Sequence, residues 1–196
     1  MRPNIIVTGF ANSGTSFLTE LVVRMGFSPG SHCHLKVANR HNPHGYWEHL
    51  PMRCIEWQKG SFRPSRIPSS PYRPNEEIFS AIVELADQDN IEVYKATTLP
   101  WTYPWFGAGR AVLIKRSANT LYERYYKREG WSVNEFRAMH TRYYDLAAKY
   151  LDGEWDVLWV EYEGFADNLL ASVVAVCEFL GRPFAPELLD VWRPRC

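Results

Sequence analysis

Apolar residues along the chain follow two alternating patterns. Short β-branched runs are typical of strands buried on both faces, and apolar positions repeated every three or four residues are typical of helices packed on a core. The first run, Asn4 to Gly9, ends at a glycine, and Phe17, Leu21 and Met25 then repeat at helical spacing before Gly26. The beginning of the chain therefore predicts a strand, a turn and a helix.

The alternation continues to the end of the chain. Strands are predicted at Ile91–Tyr94, Ala111–Ile114 and Val157–Val160, and helices at the segment capped by Asn75, at Ser117 to about Arg128, around Phe136, Tyr143 and Leu146, and at Asn168–Leu180. Strands that alternate with helices form parallel sheets covered by helices on both faces. We therefore predict a three-layer α/β fold with a mostly parallel sheet and a topology like that of P-loop nucleotide triphosphatases.

One long segment interrupts this order. From Phe27 to Pro74 the chain is rich in Pro, Gly, His and Arg and follows neither pattern. Irregular segments of this length inside compact domains are usually functional. With 196 residues in total, the chain is expected to form a single domain, residues 1–196, in which about 27–74 form a substrate-binding or flap segment.

The composition of the chain limits the kinds of binding partner that we expect for the protein. Twenty-two basic residues balance 22 acidic ones, so no net field attracts nucleic acid or an anionic membrane surface. No apolar run approaches the roughly 20 residues of a membrane span, and the four cysteines show no paired spacing. These features predict a cytoplasmic protein without a membrane span that binds no nucleic acid; they leave its oligomeric state open.

The turn after the first strand carries the strongest chemical signal. Gly9 to Ser16 has the glycine spacing of a phosphate-binding loop, and it lies between a predicted strand and a predicted helix. Backbone N–H groups in such a turn bind phosphate together with the helix N-terminus. Thr15, however, occupies the position at which a nucleotide triphosphatase carries lysine. The turn thus indicates an anion site rather than an ordinary ATPase.

Four segments in order resemble the sulfotransferases that use 3'-phosphoadenylyl sulfate (PAPS). SGTSFL at 13–18 is similar to their 5'-phosphosulfate loop, and AVLIKRSANTLYERYY at 111–126 is similar to their 3'-phosphate motif. NPHGYWE at 42–48 resembles the NPxGYxE segment of bacterial members, and 157–184 resembles the C-terminal part of the family. The resemblance covers nearly the whole chain and implies the same fold.

The resemblance also implies residue roles. The 5'-phosphosulfate would be held by Asn12, Ser13, Gly14, Thr15 and Ser16, and the 3'-phosphate by Arg116 together with Arg124. Glu48 would be the catalytic base, and Lys95 would stabilise charge near the donor. The expected reaction moves a sulfuryl group from PAPS to a hydroxyl or amine of a small-molecule or carbohydrate acceptor, leaving adenosine 3',5'-bisphosphate. Aromatic residues expected to face such an acceptor are Trp47, Trp101, Tyr103 and Trp105.

Two departures from the family keep alternatives open. Asn12 stands where the family usually has Lys or Arg, and Arg124 stands where it usually has Ser. One alternative is a P-loop phosphotransferase acting on a nucleotide or metabolite, which would need Mg²⁺ and a lysine from elsewhere. Another is a degenerate member of the family that binds the nucleotide without turning it over.

Histidines crowd into the irregular segment. His32, His34, His41, His44 and His49 lie there with Cys33 and Cys54. Such density is compatible with zinc, but neither HExxH nor paired CxxC is present. A flexible polar segment or a wall of the acceptor site is therefore favoured over a metal site, which stays open as an alternative. His44 and His49 flank Glu48 and remain alternatives to it as the base.

Overall fold

The fold was obtained as a computed structural model, which describes residues 4–36, 42, 45–50, 76–96, 109–127, 130–151, 153 and 155–192. Several predictions fall outside these residues: the Asn75 cap, Arg128, Cys54, His41, His44, Trp101, Tyr103 and Trp105. None of the helices in the described ranges is both long and apolar enough to cross a membrane.

Four parallel strands form the central sheet. They are β1 (Ile5–Thr8), β2 (Val93–Ala96), β3 (Gly109–Lys115) and β4 (Trp155–Glu161), in the order β2-β1-β3-β4. Thr8 pairs with Ala96 on one side and with Leu113 on the other, so the three strands end at one edge. Because β2 and β3 lie on opposite sides of β1, this edge has the crevice in which open α/β sheets bind ligands.

Helices cover both faces of the sheet. The described helices are α1 (Thr15–Arg24), α2 (Glu76–Gln88), α3 (Ala118–Leu121), α4 (Val133–Leu151), α5 (Tyr162–Asp167) and α6 (Leu169–Leu180). Short 3-10 turns lie at His32–His34 and Pro186–Val191. The predicted three-layer α/β fold is confirmed.

The period-2 alternation of the strands divides the core into two clusters. Ile5 and Val7 pack with α1 and α6, whereas Ile6 faces α4 on the opposite side of the sheet. In β3, Val112 and Leu113 likewise fall into different clusters. This explains why each strand appears in the sequence as a continuous apolar run.

Two local predictions need correction. The second strand begins at Val93 and not at Ile91, because Ile91 forms an isolated bridge with Pro29 and the amide of Val93 bonds the carbonyl of Ser28. The helix predicted from Ser117 is α-helical only as far as Leu121 and continues as a π-helical turn, Tyr122–Tyr126. Ser117 makes no side-chain cap; its amide instead donates to Glu163.

Gly9 should tolerate no side chain, since a Cβ atom there would lie 2.6 Å from Ser13 Oγ and 2.8 Å from Ile114 Cγ2. We expect Gly9→Ala to lower the free energy of unfolding by about 1–3 kcal/mol, as overpacking does. Gly164→Ala is the matched control, because its nearest contact is an ordinary 3.6 Å to Ser172 and alanine favours the helix. Urea unfolding measures both variants. If Gly9→Ala and Gly164→Ala had the same free energy of unfolding, the tight packing of the turn would be contradicted.

Candidate active site

The turn 9–14 forms the floor of the site. Its backbone takes left-handed conformations at Asn12 (φ 67°) and Gly14 (φ 107°), and these bring the chain from the end of β1 into the start of α1. A Cβ atom on Gly14 would lie 2.7 Å from the ring of Tyr162, so glycine is required there for space as well as conformation. No side chain caps α1, and its first turn has no acidic residue. The N-terminal amides are therefore suited to an anion.

Lys95 connects the turn to the irregular segment. It lies in β2 and is 5% exposed, and its ammonium donates to Ser16 Oγ at 2.9 Å and to the carbonyl of Tyr46 at 2.6 Å. A carboxylate oxygen of Glu48 lies 3.5 Å from the same nitrogen. The structure thus brings together three of the residues singled out in the sequence: Ser16, Glu48 and Lys95.

Glu48 reaches the sheet edge because its segment is hydrogen-bonded in place. The amide of Lys36 donates to the carbonyl of Glu48, and Leu35 forms an isolated antiparallel bridge with His49. The second carboxylate oxygen of Glu48 lies 3.7 Å from Lys36 Nζ, which also stands over the ring of Tyr46. The Glu48 side chain is buried between two lysines.

Ser16 is oriented by two donors. Besides the bond from Lys95, Ser16 Oγ accepts one at 3.0 Å from Asn42 Nδ2, which also bonds the carbonyl of Gly45. A hydroxyl has two lone pairs and one proton. With both lone pairs engaged, Ser16 has its proton left to donate. Its hydroxyl is thus suited to an anion and poorly suited to a metal cation.

Arg116 provides a second cation on the other side of β1. It follows β3 and is 6% exposed. Its guanidinium stacks on Tyr162, with the guanidinium carbon 4.0 Å from the ring centre, and donates a hydrogen bond to the carbonyl of Asn12 at 3.3 Å. Within the described residues no carboxylate pairs with Arg116, and its buried Nε has no hydrogen-bond partner. A buried guanidinium in this condition favours a bound anion.

Helix α4 supports the turn and Arg116 from below. His140 Nε2 donates to the Arg116 carbonyl at 2.9 Å, and Tyr144 donates to the carbonyl of Ile114 while it accepts from the amide of Phe10. Burial raises the pKa of Tyr144 to about 12, so its hydroxyl stays protonated. The sequence analysis did not identify His140 and Tyr144, since it named only Phe136, Tyr143 and Leu146 of this helix.

The remaining predicted residues have different positions. Ser13 is buried in the turn, Thr15 is buried at the start of α1, and Asn12 is exposed. Arg124 is exposed on the π-helical turn, 5.7 Å from the ring of Tyr125. Its participation with Arg116 in one phosphate site remains a prediction. Asn42 and Lys36 were missed as site residues; Asn42 begins the NPHGYWE segment, which was the available signal, whereas nothing in the sequence marked Lys36.

Solved structures with this fold are sulfotransferase domains. The sulfotransferase domain of the curacin biosynthetic pathway is 13% identical, with alignment over 100% of this chain and 79% of that chain and a TM-score of 0.56. The sulfotransferase domain of the olefin synthase of Synechococcus PCC 7002 is 12% identical over 99% and 79%, with a TM-score of 0.51. No protein-family model and no curated protein matches the sequence. The chain therefore has the sulfotransferase fold, as its motifs predict.

Stability should depend on pH through His140. Burial lowers the pKa of His140 below its ordinary value of 6.5. As the pH falls below that value the unfolded chain takes up a proton that the folded chain does not, so the free energy of unfolding decreases until the folded-state pKa is passed. His140→Gln keeps a donor for the Arg116 carbonyl and cannot titrate. Between pH 7 and about pH 5, urea unfolding should show a smaller decrease in the free energy of unfolding for His140→Gln than for the wild type. Equal decreases would show that His140 is not the group responsible.

Proposed function

We propose that the protein is a sulfotransferase that uses PAPS and transfers a sulfuryl group to a hydroxyl or amine of a small-molecule or sugar acceptor. The observation that carries this proposal is the convergence of Lys95 and Asn42 on Ser16 Oγ, with Glu48 held 3.5 Å from the same lysine. This arrangement combines an anion-binding turn, a fixed cation and a carboxylate. When bound, PAPS supplies the activated sulfuryl group.

The residues present fit two anionic groups of such a nucleotide. The 5'-phosphosulfate would be held by the backbone of the turn 12–16, by the proton of Ser16 and by Lys95. The 3'-phosphate would be held by Arg116, whose buried Nε has no partner among the described side chains, and by the exposed Arg124. Two cations separated by the turn suit a bisphosphate better than a single anion.

Glu48 would act as the base. Sulfuryl transfer requires removal of the proton from the attacking hydroxyl or amine, and a carboxylate at the edge of the anion site can accept that proton. Lys95 and Lys36 hold the two carboxylate oxygens, at 3.5 and 3.7 Å, and thereby fix the carboxylate. Lys95 would also counter the charge that develops as the sulfuryl group leaves the phosphate.

A phosphotransferase fits the same residues less well. Such an enzyme uses the hydroxyl at position 16 to bind Mg²⁺ and a loop lysine to bind the phosphates. Here Thr15 replaces that lysine, and the lone pairs of Ser16 are engaged by Lys95 and Asn42. The turn would therefore accept an anionic oxygen directly. A degenerate nucleotide-binding protein would share this site and differ only in turnover.

Isothermal titration calorimetry tests the nucleotide site. We expect adenosine 3',5'-bisphosphate to bind more tightly than AMP or ATP with Mg²⁺, and Arg116→Ala to weaken binding of the bisphosphate about 10- to 100-fold, the value of a lost charge-assisted hydrogen bond. Arg110→Ala is the matched control, since Arg110 lies at the opposite end of β3 and bonds the carbonyl of Leu180. Tighter binding of ATP with Mg²⁺, or no binding, would refute the proposal.

Glu48→Gln separates binding from chemistry. We expect sulfate transfer from radiolabelled PAPS to a panel of alcohols, phenols and amines to fall about 100- to 10,000-fold, as for the loss of a general base. Binding of adenosine 3',5'-bisphosphate should remain, because the substitution leaves both neighbouring lysines, Lys36 and Lys95, in place. Glu187→Gln, on the distant 3-10 turn, is the control for loss of an exposed carboxylate. Full transfer activity in Glu48→Gln would exclude Glu48 as the base, and wild-type binding without transfer to any acceptor would favour the degenerate alternative.

A further inference from the structure

Two histidines and an aspartate meet behind the segment that carries Glu48. His34 belongs to the 3-10 turn, His49 follows Glu48, and Asp89 comes directly after α2. His34 Nδ1 contacts Asp89 Oδ2, and His49 Nε2 lies 2.6 Å from the same oxygen. All three ligand atoms lie within 4.8 Å of one another. Three separate parts of the chain thus bring two imidazole nitrogens and a carboxylate oxygen to one point.

The surroundings suit a bound cation. His49 is 1% exposed, and the side chain of Asp89 is 13% exposed, so the cluster is largely shielded from water, while the partly exposed His34 leaves a side open to solvent. The imidazole rings stand edge to face with their centres 5.4 Å apart. The two ring nitrogens and the carboxylate oxygen are close enough for one small cation to replace the protons that they share.

We propose that His34 Nδ1, His49 Nε2 and a carboxylate oxygen of Asp89 bind one zinc ion, with water in the fourth position. Two imidazoles and a carboxylate form a donor set that zinc accepts at about 2.0–2.2 Å in tetrahedral geometry. The His49 and Asp89 atoms would then separate from 2.6 Å to about 3.3 Å, the edge of such a tetrahedron.

The zinc ion would hold the irregular segment against the sheet. Asp89 lies just before β2, and His49 is next to Glu48, so the site would connect α2 to the segment that carries the proposed base. This role is structural, and it does not depend on the identity of the reaction. The zinc site can therefore be tested independently of the proposed sulfotransferase activity.

Zinc binding to the full chain, without an affinity tag and after removal of metal by chelation, tests the site. Equilibrium dialysis with metal analysis should give one zinc per chain, and Co²⁺ should give the visible absorption of a tetrahedral site. His34→Asn and Asp89→Asn keep groups able to form the hydrogen bonds but are poor zinc ligands. We expect each to weaken zinc binding by at least about 100-fold, the upper range for outer-shell substitutions.

His32→Asn is the matched control, since His32 is exposed in the same 3-10 turn and lies outside the cluster. It should bind zinc as the wild type does. Circular dichroism without metal establishes that each variant is folded, and zinc should raise the melting temperature of the wild type and of His32→Asn only. The proposal is overturned if the wild type takes up no stoichiometric zinc, or if the folded His34→Asn and Asp89→Asn variants bind it as tightly as the wild type. The cluster would then be held by hydrogen bonds alone.

Discussion

The arrangement of the site depends on the hydrogen bonds and the ion pair of the buried Lys95 ammonium. A charge removed from water is strongly destabilising unless it is paired and hydrogen-bonded. Lys95 meets this requirement through Ser16 at the start of α1, the Tyr46 carbonyl and the Glu48 carboxylate. These partners belong to two separate parts of the chain, the start of α1 and the segment 45–50, and Lys95 itself belongs to a third. Satisfying one cation therefore places the irregular segment, the turn and β2 in a fixed relation.

The opposite side of the turn is fixed by the aromatic side of the core. Thr8 bonds the hydroxyl of Tyr143 at 3.0 Å, and Tyr144 and His140 bond the end of β3 and the Arg116 carbonyl. The rings of His140 and Tyr143 pack against Phe10 in the turn itself. The polar atoms of these side chains support the site while their rings fill the core. Changes in this cluster should therefore affect stability and ligand binding together.

Local patterns predicted the sheet and the turn, because continuous apolar runs and glycine spacing depend only on neighbouring residues. The predicted start of β2 was wrong, because a tertiary contact, the hydrogen bond from the amide of Val93 to the carbonyl of Ser28, decides where the strand begins. The π-helical turn and the support from α4 were not predictable for the same reason. Glu48 and Lys95 were identified through the resemblance to sulfotransferases and not from spacing. The cluster of His34, His49 and Asp89 could not be predicted from the sequence, because Asp89 is distant from the two histidines along the chain and belongs to no motif.

Lys95 and Arg116, on either side of the turn 9–14, would supply the proposed site with the positive charge that the turn itself lacks. Asn12 has φ 67°, a conformation that asparagine tolerates better than lysine or arginine, and its carbonyl accepts a bond from Arg116. Charge complementarity for an anion therefore comes from Lys95 on β2 and Arg116 after β3. Groups held at strand ends need little reorganisation when charge develops on a ligand, whereas an exposed side chain at Asn12 would have to be ordered first. In the proposed site, residues at the strand ends would thus provide the charge that sulfotransferases usually place at the position of Asn12.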